Sequence, residues 1–485
     1  MILVLDEGTS STRALLFDET GNIHHVAQAD IESRYPRPGW VEQDPRDLWR
    51  QSRNVMREAI DAAGGAAKIT TIGITNQRET LIAWDRDSGA ALAPAIVWQD
   101  RRTAAACADL REAGHEAAVQ HRTGLLLDPY FSASKMRWML DHHEEVAAAA
   151  QRGSLAFGTV ESWLITKLAG AHVTDASNAS RTALMDLEKA SWDSDMCDLF
   201  GVPEEALPAI VPTAGKLAET DMFGASIPIT GSAGDQQAAT IGQGCLEPGA
   251  AKATLGTGLF ALTSTGTDVP KSEHRLLATL LSDVHGERLY ALEGAVFVAG
   301  SLVKWLRDMA GLVGSASETE TLARSVEDNG GVTIIPAFNG LGAPHWRPDL
   351  TGSIQGLTFG VTRAHLVRAA LEAVTMSCVD LAGAFAADGA QWERLRIDGG
   401  MVANDWLAQD LADQLDLTIE RPTNVESTAR GGAILAAVGA GIHADLEAAT
   451  SAMLPPLERF DPAIASDVRG ARAKQWKSAL EQALR

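Results

Sequence analysis

Residues Leu5–Asp18 read LDEGTSSTRALLFD, and residues Leu255–Thr263 read LGTGLFALT. Each is a β-rich run, a glycine–hydroxyl turn and a second β-rich run. In the first, Ile2-Leu3-Val4-Leu5 leads in, Asp6-Glu7-Gly8-Thr9-Ser10-Ser11 turns, and Arg13 to Phe17 returns. Glycine and short polar residues are what a tight turn between strands requires. Glu19-Thr20-Gly21-Asn22 then turns into Ile23–Val26. In the second, Gly249–Leu255 leads in, Gly256-Thr257-Gly258 turns and Leu259–Thr263 returns. Two such hairpins, roughly 250 residues apart, predict two related α/β halves around a cleft, with the seam near Gly242–Gly249. We therefore expect an N-terminal lobe over residues 1–245 and a C-terminal lobe over 246–485.

Working outward, Asp44 is placed to cap a helix that has Pro45 at its first position. Leu48, Ser52, Val55, Met56, Ala59 and Ile60 form its stripe. Thr70–Thr75 predicts a buried strand ending in Asn76-Gln77-Arg78-Glu79, and Leu395–Asp398 a strand ending at Gly399-Gly400. Leu407, Leu411 and Leu415 recur at helical spacing beyond it.

The chain has 485 residues, enough to bury a large core without disulfides. Lys and Arg number 41 against 63 Asp and Glu, a net charge of −22 that disfavours nucleic acid and anionic membranes. A small anion remains admissible where backbone amides and a cation supply local charge. Cys107, Cys197, Cys245 and Cys378 are far apart, with no C-x-x-C spacing, as in a reduced cytoplasmic protein. The apolar run Ile2–Leu5 stops at Asp6, so no signal peptide is expected. No membrane insertion is expected either, Gly431–Ala444 being the nearest apolar stretch.

Four segments have the residue types for chemistry, although each also fits an ordinary structural role. Asp6 at a strand end, followed by Gly8 and the hydroxyls Thr9, Ser10 and Ser11, suits a Mg²⁺ ion and phosphate oxygens, or simply a hairpin. The matching Gly256-Thr257-Gly258 turn favours the first reading, since two facing donor loops can clamp a polyphosphate. Arg78 and Glu79, with Trp98 and Tyr130, offer donors, acceptors and aromatic faces to a small polyol, or form a surface pair and core. Asp235 with Gln236, on a loop after Gly234, suits a general base or a helix cap. Asp398-Gly399-Gly400 and Asn404 suit a nucleoside against the backbone, or a plain strand-to-helix turn. The G-x-G-x-x-A spacing from Gly256 is not read as a dinucleotide site, because β-like residues follow it where that site needs a helix. No G-x-x-x-x-G-K-[ST], H-E-x-x-H or G-x-S-x-G occurs.

Together these stretches resemble the FGGY carbohydrate kinases, most closely the members that phosphorylate glycerol. The resemblance runs from Leu3 to about Gly441. It rests on LDEGTSSTRALLFD, YPRPGWVEQDP from Tyr35, GITNQRET from Gly73, AIVWQDRRT from Ala95, DPYFSASK from Asp128 and TDASNASRTAL from Thr174. AGDQQAA from Ala233, LGTGLF from Leu255, ALEGAVFVAGSLVKWLRD from Ala291, PAFNGLGAPHW from Pro336 and IDGGMVAND from Ile397 continue it. It implies two ribonuclease-H-like, actin/hexokinase-like lobes closing over ATP and glycerol, with sn-glycerol 3-phosphate as product. Asp235 would be the general base. Arg78, Glu79, Tyr130 and Gln236 would bind glycerol hydroxyls, with Trp98 and Phe260 lining the carbon side. Asp6 would serve Mg²⁺. Thr9, Ser10, Ser11, Arg13 and Thr257 would face the phosphates, and Gly300, Lys304, Gly400 and Asn404 the nucleotide. A homo-oligomer, dimer or tetramer, is expected. Another small polyol or ketose as substrate, and a non-catalytic sensor or actin-like protein, remain the alternatives.

The chain also departs from the family pattern. Glu7 replaces a usual Gln and is expected beside the metal and phosphates or pointing outward. Lys304 replaces a Gln on the nucleotide side. Thr220–Ile229 lacks the Gly-Gly-Thr-Arg loop that binds fructose 1,6-bisphosphate in some relatives, so inhibition by that sugar is not expected.

Overall fold

The computed structural model describes residues 1–347 and 349–485. The N-terminal part contributes six strands to a large sheet: β1 (Ile2–Glu7), β2 (Ser11–Phe17), β3 (Ile23–Asp30), β4 (Thr71–Asn76), β5 (Ala214–Thr220) and β6 (Ile227–Gly234). The C-terminal part adds β7 (Ala250–Leu255), β8 (Leu259–Gly266), β9 (Leu277–Val284), β10 (Glu287–Val296), β11 (Arg394–Asp398), β12 (Ile419–Pro422) and β13 (Leu457–Phe460). These thirteen strands form one sheet in the order β13-β12-β11-β7-β8-β10-β9-β5-β6-β4-β1-β2-β3.

The order contains the same pattern twice. β1–β2–β3 is an antiparallel meander, with β4 and then β6 added parallel on the β1 side and β5 antiparallel beyond. β7–β8–β10 repeats the meander, with β11 and β12 added parallel and β13 antiparallel beyond. β9 pairs with β10 and meets β5 at one residue pair, Val284 with Ala214. The predicted duplication is present, in a mixed α/β fold.

Seven helices cover this sheet or frame the cleft: α1 (Pro45–Ala62), α2 (Val160–Ala169), α3 (Asp235–Gly242), α4 (Gly300–Asp308), α5 (Arg363–Ala387), α6 (Asp405–Leu415) and α7 (Ser427–Gly439). Asp44 caps α1 by accepting from the Arg46 amide, with Pro45 inside the first turn as expected. Strand alternation divides β1 between two cores. Leu3 and Leu5 pack with Leu48, Met56 and Ala59 of α1, whereas Ile2 and Val4 pack with Ile434 and Leu435 of α7. Thus α7, late in the chain, lies on the N-terminal strands. It also crosses α3 so closely that a Cβ on Gly431 would sit 1.8 Å from the Ala238 carbonyl oxygen. Only glycine permits that approach.

Among the described residues, the helix long and apolar enough to cross a membrane is α5, not Gly431–Ala444. Its apolar window is 72% buried, and Leu371, Val374, Leu381 and Phe385 pack against the C-terminal strands. Gly431–Ala444 is interrupted by the end of α7 at Gly439.

Candidate functional site

The ends of β1, β4, β6, β7 and β11 converge on one edge of the sheet, where parallel strands present their carboxyl-end loops. β6 ends at Gly234, and Asp235 opens α3. A Cβ on Gly234 would lie 2.6 Å from Arg78 Cγ, so glycine here lets the Arg78 stem pass close to the backbone. Asp235 Oδ1 lies 3.2 Å from Arg78 Nε, yet it accepts no hydrogen bond, and the side chain is 32% exposed. Enclosure in the cleft raises its pKa, against the opposing pull of Arg78 and Lys252. The unpartnered Oδ1 is buried, and a carboxylate oxygen left without a donor can accept a proton.

Arg78 and Glu79 follow β4, with Glu79 held at φ 60°. The Arg78 fork donates to Glu293 of β10, through Nη1 to Oε2 at 2.5 Å and Nη2 to Oε1 at 3.0 Å. Arg181 donates to Glu79 Oε1 at 2.8 Å and to Glu293 Oε1 at 3.1 Å. The result is a buried alternation of two guanidiniums and two carboxylates. Burial pushes the Glu293 carboxyl up, but Arg181 and Arg78 outweigh it and hold it at about 2. Burial raises Glu79, against Arg78 and Arg181. Tyr130 Oη accepts from Arg78 Nη2 at 3.4 Å. The Trp98 ring meets Tyr130 edge-on at 5.8 Å and Phe260 at 6.2 Å, making an aromatic wall beside these polar groups. The predicted polyol set, Arg78, Glu79, Trp98, Tyr130, Asp235, Gln236 and Phe260, is brought together.

Three residues were absent from the predicted set: Arg181, Lys252 and Glu293. Lys252 of β7 donates to Gln236 Oε1 and, at 2.8 Å, to Thr254 Oγ1. Burial lowers its pKa, against the carboxylates Asp398 and Asp235. A charge within an apolar strand was the visible signal for two of them: Lys252 interrupts AAKATL, and Glu293 follows YAL. Such a residue requires a buried partner.

In the first glycine–hydroxyl turn, Gly8 donates its amide to the Ser11 carbonyl at 3.0 Å, and Thr9 Oγ1 accepts from Trp98 Nε1 at 2.9 Å. Ser10 is exposed. Arg13 donates to Asp6 at 2.5 Å and to Glu426 at 2.7 Å, so carboxylates hold both ends of its fork. Opposite, the Thr257 carbonyl accepts from the Ala299 and Ser301 amides, tying the Gly256–Gly258 turn to the start of α4. A Cβ on Gly300 would meet the Gly256 carbonyl at 2.5 Å. Asn404 caps α6 by accepting from the Leu407 amide and donates to Thr319. Gly400 and Lys304 are exposed.

Glu7 departs from both expectations. β1 alternation sends it away from Asp6, under α1, where it is fully buried and accepts from Ser52 Oγ at 2.5 Å. Burial pushes its carboxyl up to about 8, so near neutral pH it is largely protonated and adds little charge beside the turn.

Asp6, near the end of β1, supplies carboxylate oxygens, the chemistry Mg²⁺ prefers. Asp6 raises the Asp235 pKa, so the two carboxylates feel each other. Among the described residues no group of three or more His, Cys, Asp or Glu could enclose a metal. A cation here would take its remaining ligands from water and phosphate, as Mg²⁺ does. The residues fit the ion.

Residues 1–242 match the N-terminal domain of the FGGY family of carbohydrate kinases, and residues 251–440 match its C-terminal domain. The chain is 49% identical to a glycerol kinase of Rhodospirillum centenum, over 99% of this chain and 97% of that one. The crystal structure of Plasmodium falciparum glycerol kinase with ADP superposes with a TM-score of 0.93 at 35% identity, covering 100% of this chain and 99% of the other. A xylulose kinase from Rhodospirillum rubrum superposes with a TM-score of 0.87 at 26% identity, covering 99% and 98%. The chain belongs to the FGGY family of carbohydrate kinases.

Proposed function

We propose that this chain transfers the γ-phosphoryl group of ATP to glycerol, giving sn-glycerol 3-phosphate and ADP. The observation that carries the reading is Asp235: a carboxylate with one free oxygen, beside Arg78 and the Trp98–Tyr130–Phe260 wall, on the edge that also bears both glycine–hydroxyl turns. The full-length relative named glycerol kinase and the glycerol kinase crystallised with ADP support the substrates.

In this mechanism Arg78, Glu79, Tyr130 and Gln236 orient the glycerol hydroxyls, while the aromatic wall packs against its carbon side and excludes water. Asp235 takes the proton from the terminal hydroxyl as that oxygen attacks the γ-phosphorus in line. Amides and hydroxyls of Thr9, Ser10, Ser11 and Thr257, with Arg13, face the phosphates. Gly300, Lys304, Gly400 and Asn404 line the nucleotide. Asp6 would hold Mg²⁺, which when bound supplies charge neutralisation at the transferred group. The reading carries two lobes, 1–245 and 246–485, that close together.

A cytoplasmic location belongs to the same reading, supported by four buried, unpaired cysteines. So does a homo-oligomer, dimer or tetramer, which the exposed Leu357 and Phe359 would serve. Coupled ADP release measured over a panel of glycerol, erythritol and pentuloses tests the substrate. A preference for a ketose would move the chain to another carbohydrate, and no polyol-dependent ADP release would make it a non-catalytic relative.

A further inference from the structure

Arg78 faces two carboxylates at once, and they place opposite demands on it. Its two terminal nitrogens are both spent on Glu293, whereas its Nε only approaches Asp235, without a hydrogen bond. Arginine prefers to engage a carboxylate with two parallel N–H donors. Beyond the neutral acceptors Gln237 and Tyr130, each 3.4 Å from a terminal nitrogen, Asp235 is the other carboxylate in reach, 3.2 Å from Nε, and a base held by two guanidinium donors is a poor proton acceptor.

Glu293 does not come from the strands that carry Arg78 or Asp235. It lies on β10, in the C-terminal half, paired across the ladder with Leu262 of β8. Its side chain is fully buried. It also holds Arg181, which in turn holds Glu79. Gln237, one residue beyond Gln236, accepts from Arg78 at 3.4 Å and donates to Thr279 of β9.

We propose that Glu293 is a positioning residue for phosphoryl transfer: by occupying the Arg78 fork from the opposite lobe, it keeps Asp235 free to accept the alcohol proton and fixes the polyol-facing groups. This rests on the polyol-site reading above. The four-charge set of Arg78, Arg181, Glu79 and Glu293 is neutral as a whole. Removing the Glu293 charge alone leaves one guanidinium uncompensated, with Asp235 next in reach. Removing Arg181 as well restores neutrality and frees Glu79, the next carboxylate beside Arg78, to take the fork in place of Asp235.

The test compares Glu293→Gln, Glu293→Gln/Arg181→Gln and Arg78→Ala in the full chain, reading kcat, KM for glycerol, KM for ATP and the thermal midpoint. Glu293→Gln is expected to lose at least ~10-fold in kcat with KM for ATP within about twofold, a part of the ~10²-fold or more that a positioned base contributes. The double variant, though it lacks more buried bonds, is expected to recover part of that kcat. A merely structural role predicts the reverse, with the double variant slower than the single one in step with a lower midpoint, and that result overturns the proposal. So does wild-type turnover in Glu293→Gln. Should Glu293→Gln fail to fold, Glu293→Asp serves: it keeps the charge on a shorter stem, so kcat should hold within ~3-fold while KM for glycerol rises. Loss of kcat at unchanged KM overturns the proposal there. In Arg78→Ala, a raised KM for glycerol alongside unaltered Glu293→Gln kinetics removes the positioning role alone. An unchanged KM in Arg78→Ala removes the polyol-site reading and this inference with it.

Discussion

The two halves use the same strand order and have diverged at the same places. After β1 the connection is one residue longer, Glu7 pairing with Thr12, whereas Leu255 pairs directly with Leu259 after β7. The first turn is flanked by charge, Asp6 against Arg13, while the second is flanked by Thr254 and Phe260. After β4 the chain places Arg78 and Glu79; after β11, its counterpart, it places Gly399 at φ 94°, where a Cβ would be 2.6 Å from the Leu255 carbonyl. After these matching strands the N-terminal copy presents side chains and the C-terminal copy bare backbone, although the C-terminal strands also send Lys252, Phe260 and Glu293 to the site. A side-chain-rich surface suits a small alcohol that must be oriented, and a glycine-rich one suits a flat nucleoside and its phosphates.

That contrast can be broken experimentally. Asp235→Asn, on the side-chain half, should fold normally and lose at least ~10²-fold in turnover, followed by coupled ADP release; near-normal turnover would take the base role from it. Arg78→Ala should raise KM for glycerol ~10- to 100-fold, the range for losing hydrogen bonds from a charged group, and leave KM for ATP unmoved. Equal losses for both substrates would erase the division of labour. Thr257→Ala, on the backbone half, should weaken ATP by only about fivefold, because the turn's amides persist; a loss matching that of Arg78→Ala would show the hydroxyl dominating.

A smaller effect concerns stability. Glu161 of α2 is buried beside Asp175, and both burial and that neighbour raise its pKa. The folded state therefore holds a proton that the unfolded chain releases above its ordinary carboxyl range. Stability is fullest below that range and falls as pH rises toward the folded value. Glu161→Gln should flatten this slope between pH ~5 and ~7 in chemical denaturation; identical slopes would assign the pH dependence elsewhere.

Much of this was legible in the residues. The hairpin repeat at Gly8 and Gly256 and the cap at Asp44 follow from local turn and capping chemistry, which acts over a few residues. The loop expected after Gly234 is instead a strand end running directly into α3 at Asp235. Glu293 and Lys252 were not chosen because their roles depend on partners far along the chain, with Arg78 215 positions from Glu293. Glu7 was misplaced for a different reason. Its residue type suggested phosphate chemistry, whereas strand alternation from the already recognised Leu3 and Leu5 points it toward α1. The placement of α7 on the N-terminal strands has no local signal beyond its glycines.

The single pairing of Ala214 with Val284 has a mechanical consequence. Flexing the sheet at that line breaks one rung, plus the exchange between Thr213 and Asp283, whereas flexing within either half breaks five or more rungs on β1–β2 or β7–β8. The α3–α7 crossing, backbone against backbone, has no side-chain cushion to compress. Were the two halves to move against each other, this line would yield before the two meanders, and Glu293 on β10, bonded to Arg78 beyond β4, would be carried across it.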